Sequence, residues 1–505
     1  MRRAIPVAAA VAVGAVVLVL LLGAGGGGRE QATTRLDDVL GYFAKDAPLV
    51  AVAPTDPASP QLHALAAVLG PVQVVDPLVD RLAGRLGLRD VDFNRDLKPE
   101  LGGAPLVAGI QGGAYRRAGL KKAIVVATRI RNTIKIKRLL LRQPDLLPRT
   151  KPHGVRIWEN RFGGSFAAAL DGHILVAGGS RQAVAEALDN RRSIGRMRQS
   201  DFDDALAGLP RAGALRVSAY PRALLAGDKR LRGALRVPWV AALRRAGAAL
   251  TATPAAIALA FRLHTDSSSV STADLPLAPH AGAVPLIGAP GEVAIGVREP
   301  ARVLQFAAAL GRALAPKRAA RLAAAEHALG EPGREIESDF TELLGPTASV
   351  AIDPLTRAWA ARFPLPHSAA MNTALQQVAD SLPDLAATLG FRGLGVATPD
   401  VGEPFYALAR AHGPTVVFGV VGSALIAASS PHRAAALVTE ATHTARGALV
   451  ATVDAQRLAL RLIGPRLGGL AALGAPLVLS SLGNVTLSAS IDRSALSGQA
   501  TLPLK

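Results

Sequence analysis

The side chains best equipped for chemistry are the oxygens of Asp90, Asp92, Asn94 and Asp96, set at alternate positions in Asp90-Val91-Asp92-Phe93-Asn94-Arg95-Asp96. That spacing matches the first half of a calcium loop, whose oxygens converge on one hard cation. The second half is missing. Arg95 stands where an EF-hand needs glycine for its sharp turn, and Leu101 replaces the bidentate glutamate at position twelve. Acids recur 243 residues later as Glu335 for Asp92 and Asp339 for Asp96, with Ile336 for Phe93. Recurrence beside one apolar position and before Leu-Gly fits an acid that caps a helix start.

Other constellations fare no better. Gly163-Gly164-Ser165-Phe166-Ala167 approaches the G-x-S-x-G nucleophile elbow. That motif exposes its serine on a strained strand-to-helix turn, whereas Ser165 opens a strand-like run. The ten histidines show no H-E-x-x-H spacing, since Glu326-His327 is followed by Gly330 and Glu331. Gly23 to Gly28 satisfies the letters of G-x-G-x-x-G but follows an apolar run and precedes no βαβ unit, so it reads as a spacer. No G-x-x-x-x-G-K-[ST] sequence occurs, and the cysteine count is zero. Thiolate metal sites, disulfides and cysteine nucleophiles are thereby excluded. No catalytic, metal or cofactor residue is assigned, although scattered Ser, His and acid side chains could still converge through folding.

The elements that would position such residues come in two sets. Leu49-Val50-Ala51-Val52 followed by Asp56-Pro57 returns as Val293-Ala294-Ile295 followed by Glu299-Pro300, an offset of 243 between Asp56 and Glu299. Leu101-Gly102, which opens an apolar run, returns as Leu344-Gly345 at the same offset. Ser165–Ala177 matches Thr415–Ala427, and Gly213-Ala214-Leu215 matches Gly447-Ala448-Leu449. Shared offsets at separate landmarks indicate a diverged internal duplication.

Within each set an apolar strand leads through Asp-Pro or Glu-Pro, an N-cap with proline in the first turn, into an amphipathic helix. Leu62, Leu65, Val68 and Leu69 make its apolar face. Asp171-Gly172 is a two-residue hairpin signal. Ser180 then caps a helix carrying Val184, Ala187 and Leu188. The expected fold is α+β, with each copy an antiparallel or mixed sheet bearing helices packed on one face. The expected boundaries are 1–28 for an N-terminal segment and spacer, 29–272 for the first copy and 273–505 for the second.

Charge separates the two copies. Residues 1–270 hold 39 Lys and Arg against 21 Asp and Glu, and residues 271–505 hold 18 against 17. The basic surplus is densest at Arg116, Arg117, Lys121, Lys122, Arg129, Arg131, Lys135, Lys137 and Arg138. These nine are the candidate contacts to an anionic surface, a phospholipid headgroup or an acidic wall polymer. A solvated face in an arginine-rich chain is the competing reading. Nucleic acid is disfavoured because only 4% of residues are aromatic, which leaves few stacking platforms.

Arg2 and Arg3 precede an uncharged run whose core, Ala4 to Ala24, has about the 20 residues that cross roughly 30 Å of hydrocarbon. The positive-inside rule keeps the two arginines cytoplasmic and places the rest of the chain outside. Cleavage as a signal peptide is the rival, and it exports the chain too. A single-pass cell-membrane protein with its bulk extracytoplasmic is expected.

The Asp-Pro helix, the acidic segment before Leu-Gly, the Asp-Gly hairpin, and Ser200-Asp201-Phe202 ahead of Leu209-Pro210 together resemble the bacterial family known as domain of unknown function 3352. The likeness covers residues 36–450, although the second copy has Val421-Gly422 where the first has Asp171-Gly172. It implies an extracytoplasmic, membrane-associated protein and no particular activity. The functional expectation is a non-catalytic binding or scaffold protein without a cofactor. The alternatives are a carrier of an apolar or lipid ligand, with Ala319-Ala320 and Ala323-Ala324-Ala325 lining a cavity, and an exported hydrolase.

Overall fold

A computed structural model describes residues 32–54, 59–69, 98–100, 104–143, 145–150, 153–161, 166–328, 341–388, 395–397, 405–409, 416–440, 442–458 and 482–504. The Ala4–Ala24 segment, the Gly23–Gly28 run, Asp56-Pro57, the Asp90–Asp96 acids, Ser165, Glu335 and Asp339 lie outside these residues. Among the described residues, no helix is long and apolar enough to cross a membrane.

Two units divide the chain, one taking residues up to Arg232 with Leu243–His264, the other Gly233–Ala242 with Thr265–Lys505. In the first unit the helices used below are α1 (Ala32–Leu40), α2 (Pro60–Leu69), α3 (Gly112–Ala118), α4 (Leu120–Ala123), α5 (Thr133–Arg142), α6 (Arg181–Arg192) and α7 (Gln199–Ala205). Its strands are β1 (Leu49–Ala53), β2 (Leu106–Ile110), β3 (Ile124–Arg129), β4 (Leu146–Thr150), β5 (Arg156–Asn160), β6 (Ala167–Asp171), β7 (Ile174–Gly178), β8 (Leu215–Ala219), β9 (Leu243–Ala252) and β10 (Ala256–Thr265).

Neighbouring strands run β4-β5-β6-β7-β3-β2-β1-β8-β9 in antiparallel pairs, and β10 follows β9. The register fixes which residues share a face, because side chains alternate along each strand. Val107, Ala127, Val176, Ala169 and Ile157 stand in line across five strands. They join one core with Leu36, Val39 and Leu40 of α1 and Val184, Ala187 and Leu188 of α6. Ser180 caps α6 as the sequence indicates, accepting from Ala183 N–H at 3.2 Å.

The opposite face is covered as well. Leu106, Trp158 and Ala168 pack there with Ile136 and Leu140 of α5, and Ala51, Ala53 and Leu215 pack with Leu62 and Leu65 of α2. The expectation of helices on one face is therefore corrected to helices on both. The physical reason is visible in β6, where Ala167, Ala168 and Ala169 are all buried in succession, the pattern of a strand whose two faces are both covered.

The second unit has helices α8 (Pro300–Leu314), α9 (Pro316–Ala328), α10 (Ser368–Thr388) and α11 (Pro431–Thr439). Its strands are β11 (Gly282–Leu286), β12 (Val293–Arg298), β13 (Thr347–Ile352), β14 (Trp359–Pro364), β15 (Gly395–Ala397), β16 (Tyr406–Ala409), β17 (Val416–Val421), β18 (Ala424–Ala428), β19 (His443–Gly447), β20 (Leu449–Asp454), β21 (Asn484–Ile491) and β22 (Ala495–Pro503). The order is β15-β16-β17-β18-β14-β13-β12-β20-β21-β22, all antiparallel, with β11 and β19 as a separate pair.

Helices again lie on both faces. Ala434 and Leu437 of α11 pack with Ala351, Ala360 and Val417, while Met371 and Leu375 of α10 pack with Val420 and Leu425. Ser430 caps α11 by accepting from Arg433 N–H at 3.2 Å. Glu299 holds the N-cap position before Pro300, in left-handed backbone and without a side-chain cap bond. Its carboxylate is bound by Arg302 instead.

Candidate anionic-surface face

The nine basic residues singled out by spacing occupy three places in the first unit. Arg116 and Arg117 end α3, and Lys121 and Lys122 lie on α4, all four exposed at the end of the sheet where β3 begins. Arg117 is 3.7 Å from Glu186, whose carboxylate also accepts from the backbone N–H of Gly113 and Ala114 at 2.7 and 2.8 Å. Arg129 and Arg131 are exposed at the other end, where β3 finishes. Five residue steps separate Ile124 from Arg129, roughly 17 Å of strand. The two groups therefore do not form one patch.

The third place is α5. Asn132 caps it, its side chain accepting from Lys135 N–H at 3.0 Å. Ile136 and Leu140, four residues apart, fall on the buried face. The outward face carries Ile134, Lys137, Arg138 and Leu141, with Arg142 at its margin. Ile134 is 62% and Leu141 56% exposed, and all three cations are exposed. Lys135 stands to one side, 3.0 Å from the mostly buried Glu100. Among the described residues, Lys137, Arg138 and Arg142 have no acidic partner within salt-bridge distance.

This combination departs from an ordinary solvated helix. A water-facing side is normally dominated by polar residues. Here two branched apolar side chains, one helical heptad apart, alternate with cations whose long stems can lie along apolar surface while their charges stay in water. An amphipathic helix resting in a headgroup layer has that composition.

Spacing alone missed a second basic group. Arg191 and Arg192 end α6, and the turn Ser193-Ile194-Gly195-Arg196 follows. Ile194 is 97% exposed. The signal available in the sequence is an isoleucine set among four arginines, Arg191, Arg192, Arg196 and Arg198.

The acids and aromatics nearby serve structure. Tyr42 hydroxyl donates to Asp171 at 3.1 Å, Arg192 approaches Asp171 at 3.8 Å, and Arg191 bonds Asp38 at 3.2 Å while lying over the Tyr42 ring. Gln111 is buried, donating to Tyr42 O and accepting from Asn190. His153 contacts Asp189 at 3.2 Å, both exposed to solvent. No cluster of three or more His, Asp or Glu side chains suited to a metal occurs among the described residues. In α9, Ala320, Ala323 and Ala324 are exposed.

No family model and no curated protein matches the chain. Solved structures of TP0453 are similar over part of it. Crystal form I is 13% identical, with 46% of this chain and 80% of that one covered and a TM-score of 0.27. Crystal form III is 11% identical, with 46% and 82% covered and a TM-score of 0.26.

Proposed function

We propose that this chain is a non-catalytic binding or scaffold protein held at the outer face of a membrane by Ala4–Ala24, and that its first unit rests on an anionic surface through α5. The observation that carries this reading is the outward face of α5, where exposed Ile134 and Leu141 stand among Lys137, Arg138 and Arg142, which have no acidic partner among the described residues. The charge surplus of residues 1–270 agrees with it. The resemblance of the sequence motifs to domain of unknown function 3352 is in keeping with it, and would imply an extracytoplasmic setting.

The two units are, on this reading, diverged copies of one plan. Support comes from the correspondence of strand orders, position by position, and from paired details. Ser180 and Ser430 cap equivalent helices with φ of −164° and −161°. Gly172 and Gly422 turn equivalent hairpins with φ of 60° and 58°. Only the first copy carries the basic α5 face, so the copies would divide into a surface-binding unit and a near-neutral one.

The chain has no cysteine, so one introduced thiol is unique. Leu141→Cys, labelled with an environment-sensitive fluorophore in the full chain, should show a blue shift and gain in emission with phosphatidylcholine vesicles that contain phosphatidylglycerol. Pure phosphatidylcholine should give little change. Equal emission with both vesicle types would overturn the proposed contact.

A further inference from the structure

The turn Ser193–Arg196 projects a fully exposed isoleucine from a rigid mount. Lys45 N–H donates to Gly195 O at 2.8 Å, Met197 N–H donates to Phe43 O at 2.8 Å, and Ala44 and Arg196 form an isolated bridge. Inside the turn, Ser193 N–H donates to Asn190 O at 2.9 Å, and Gly195 N–H donates to Ser193 Oγ at 3.1 Å. Met197, one residue beyond Arg196, is buried at 2% exposure, while Ile194 stands at 97%. Backbone bonds on both sides fix the turn, so the fold itself holds Ile194 in water.

Cations surround it. Arg192 and Arg196 are exposed, and among the described residues the Arg196 guanidinium reaches the carbonyl oxygen of Arg191 alone. The tip of the β6–β7 hairpin ties this end of the unit together. Asp171 receives Arg192 at 3.8 Å, and His173 O accepts from Ile130 N–H at 2.9 Å, so Arg129, Arg131 and the start of α5 share the end with Ile194. Arg129 and Arg191 both approach Asp38, at 4.0 and 3.2 Å, so two of the arginines at this end share one carboxylate.

We infer that Ile194 is a bilayer-insertion tip, entering the boundary between headgroups and acyl chains while Arg192 and Arg196 engage lipid phosphates. An isolated apolar side chain on an otherwise polar turn gains by leaving water, and arginines on either side pair with the anionic oxygens that a lipid surface presents at that depth. A wall polymer supplies the charge but no apolar layer for the isoleucine. Chain connectivity favours the same bilayer that would hold Ala4–Ala24. Asp38 of α1 bonds Arg191, and residues 43–45 bond the turn itself, so the turn lies beside the first described element after that segment. Only seven residues separate Ala24 from the start of α1, a reach of at most about 25 Å.

The inference rests on the reading that the first unit meets an anionic surface, and one experiment separates the two. Ile194→Cys and Leu141→Cys are labelled separately with the same fluorophore, in the full chain, and placed with phosphatidylcholine vesicles with and without phosphatidylglycerol. The expected result is a blue shift at position 194 that requires the anionic lipid and is quenched by lipids carrying a spin label near the headgroup. A shift at 141 without one at 194 sinks the insertion tip and leaves the α5 contact standing. A shift at 194 without one at 141 keeps the tip and sinks the α5 contact, and no shift at either position overturns both. Ile194→Ser supplies a label-free check, since the exposed side chain makes no core contact; unchanged phosphatidylglycerol dependence of binding in that variant counts against the tip.

Discussion

Tyr42 and Asp171 are joined across 129 residues by a hydrogen bond of 3.1 Å, the phenol donating to the carboxylate. The bond links the loop after α1 to the β6–β7 hairpin. Burial first, and then the Asp171 carboxylate, push the Tyr42 phenol above its ordinary value of about 10. The folded state thus keeps the proton after the unfolded chain has lost it. Stability from this group is complete below pH about 10 and declines as pH rises.

Tyr42→Phe should therefore cost about 1 kcal/mol near neutrality, the ordinary net worth of one such bond. It should also flatten the alkaline decline. Denaturant titrations at neutral pH and above pH ~10 measure both, and an alkaline slope equal to that of the unaltered chain would show that another group is responsible.

Asp201 predicts the opposite arm. Burial alone would raise its carboxyl, but Lys45 at 2.8 Å and the Arg198 N–H bond outweigh burial and hold it below the usual carboxylate range. A depressed value gives stability that is present above about pH 4 and is lost as pH falls below that. Asp201→Asn should cost up to about 1 kcal/mol at neutral pH, mostly because the amide oxygen accepts the Arg198 N–H more weakly than the carboxylate does, since Lys45 is exposed and screened. Acid unfolding of the variant should be correspondingly shallower, measured as the denaturation midpoint between pH 3 and 6.

In the second unit, Arg433 bonds Glu292 at 2.5 Å and Glu440 at 3.2 Å, with all three side chains at most 16% exposed. Removing the cation strands two carboxylates away from water. Arg433→Met should destabilise by roughly 3–5 kcal/mol, the cost of breaking a buried pair from one side. Adding Glu292→Gln and Glu440→Gln should recover part of that loss, since neutral amides cost less to bury. Calorimetry of the single and triple variants tests this, and equal losses in both would exclude stranded charge as the cause.

How far the sequence revealed these features depends on how local their causes are. The cap at Ser180 and the turn at Gly172 were legible because each is set by one residue and its next few neighbours. Comparison of Asp171-Gly172 with Val421-Gly422 shows which residue the turn requires: both glycines have positive φ, while the aspartate is replaceable. Ser200-Asp201-Phe202 is likewise local, a helix start whose Phe202 is fully buried and whose Asp201 bonds back to Arg198. The two-sided covering of the sheet was harder to see. Alanine in Ala167-Ala168-Ala169 signals burial weakly, and the strand itself does not say that α6 covers one of its faces and α5 the other. Basic spacing likewise grouped Arg116 with Arg131, although β3 carries them to opposite ends of the sheet.

The outward face of α5 gives the most demanding prediction, because it must respond to charge, salt and apolar content separately. Each Lys or Arg near an anionic bilayer contributes about 1 kcal/mol, so reversing Lys137, Arg138 and Arg142 to glutamate removes at least about 3 kcal/mol. That corresponds to a contact roughly 100-fold weaker with phosphatidylglycerol-containing vesicles. Helix formation should survive, since the three side chains are exposed and the buried Ile136 and Leu140 are untouched. Raising salt toward 1 M, where the Debye length is about 3 Å, should weaken the unaltered chain toward the level of the variant. Ile134→Ser with Leu141→Ser should behave differently, binding more weakly while keeping the full salt dependence. Vesicle titrations of the two variants at low and high salt distinguish these effects; a charge-reversed chain that binds phosphatidylglycerol as well as the original would remove α5 from the interface.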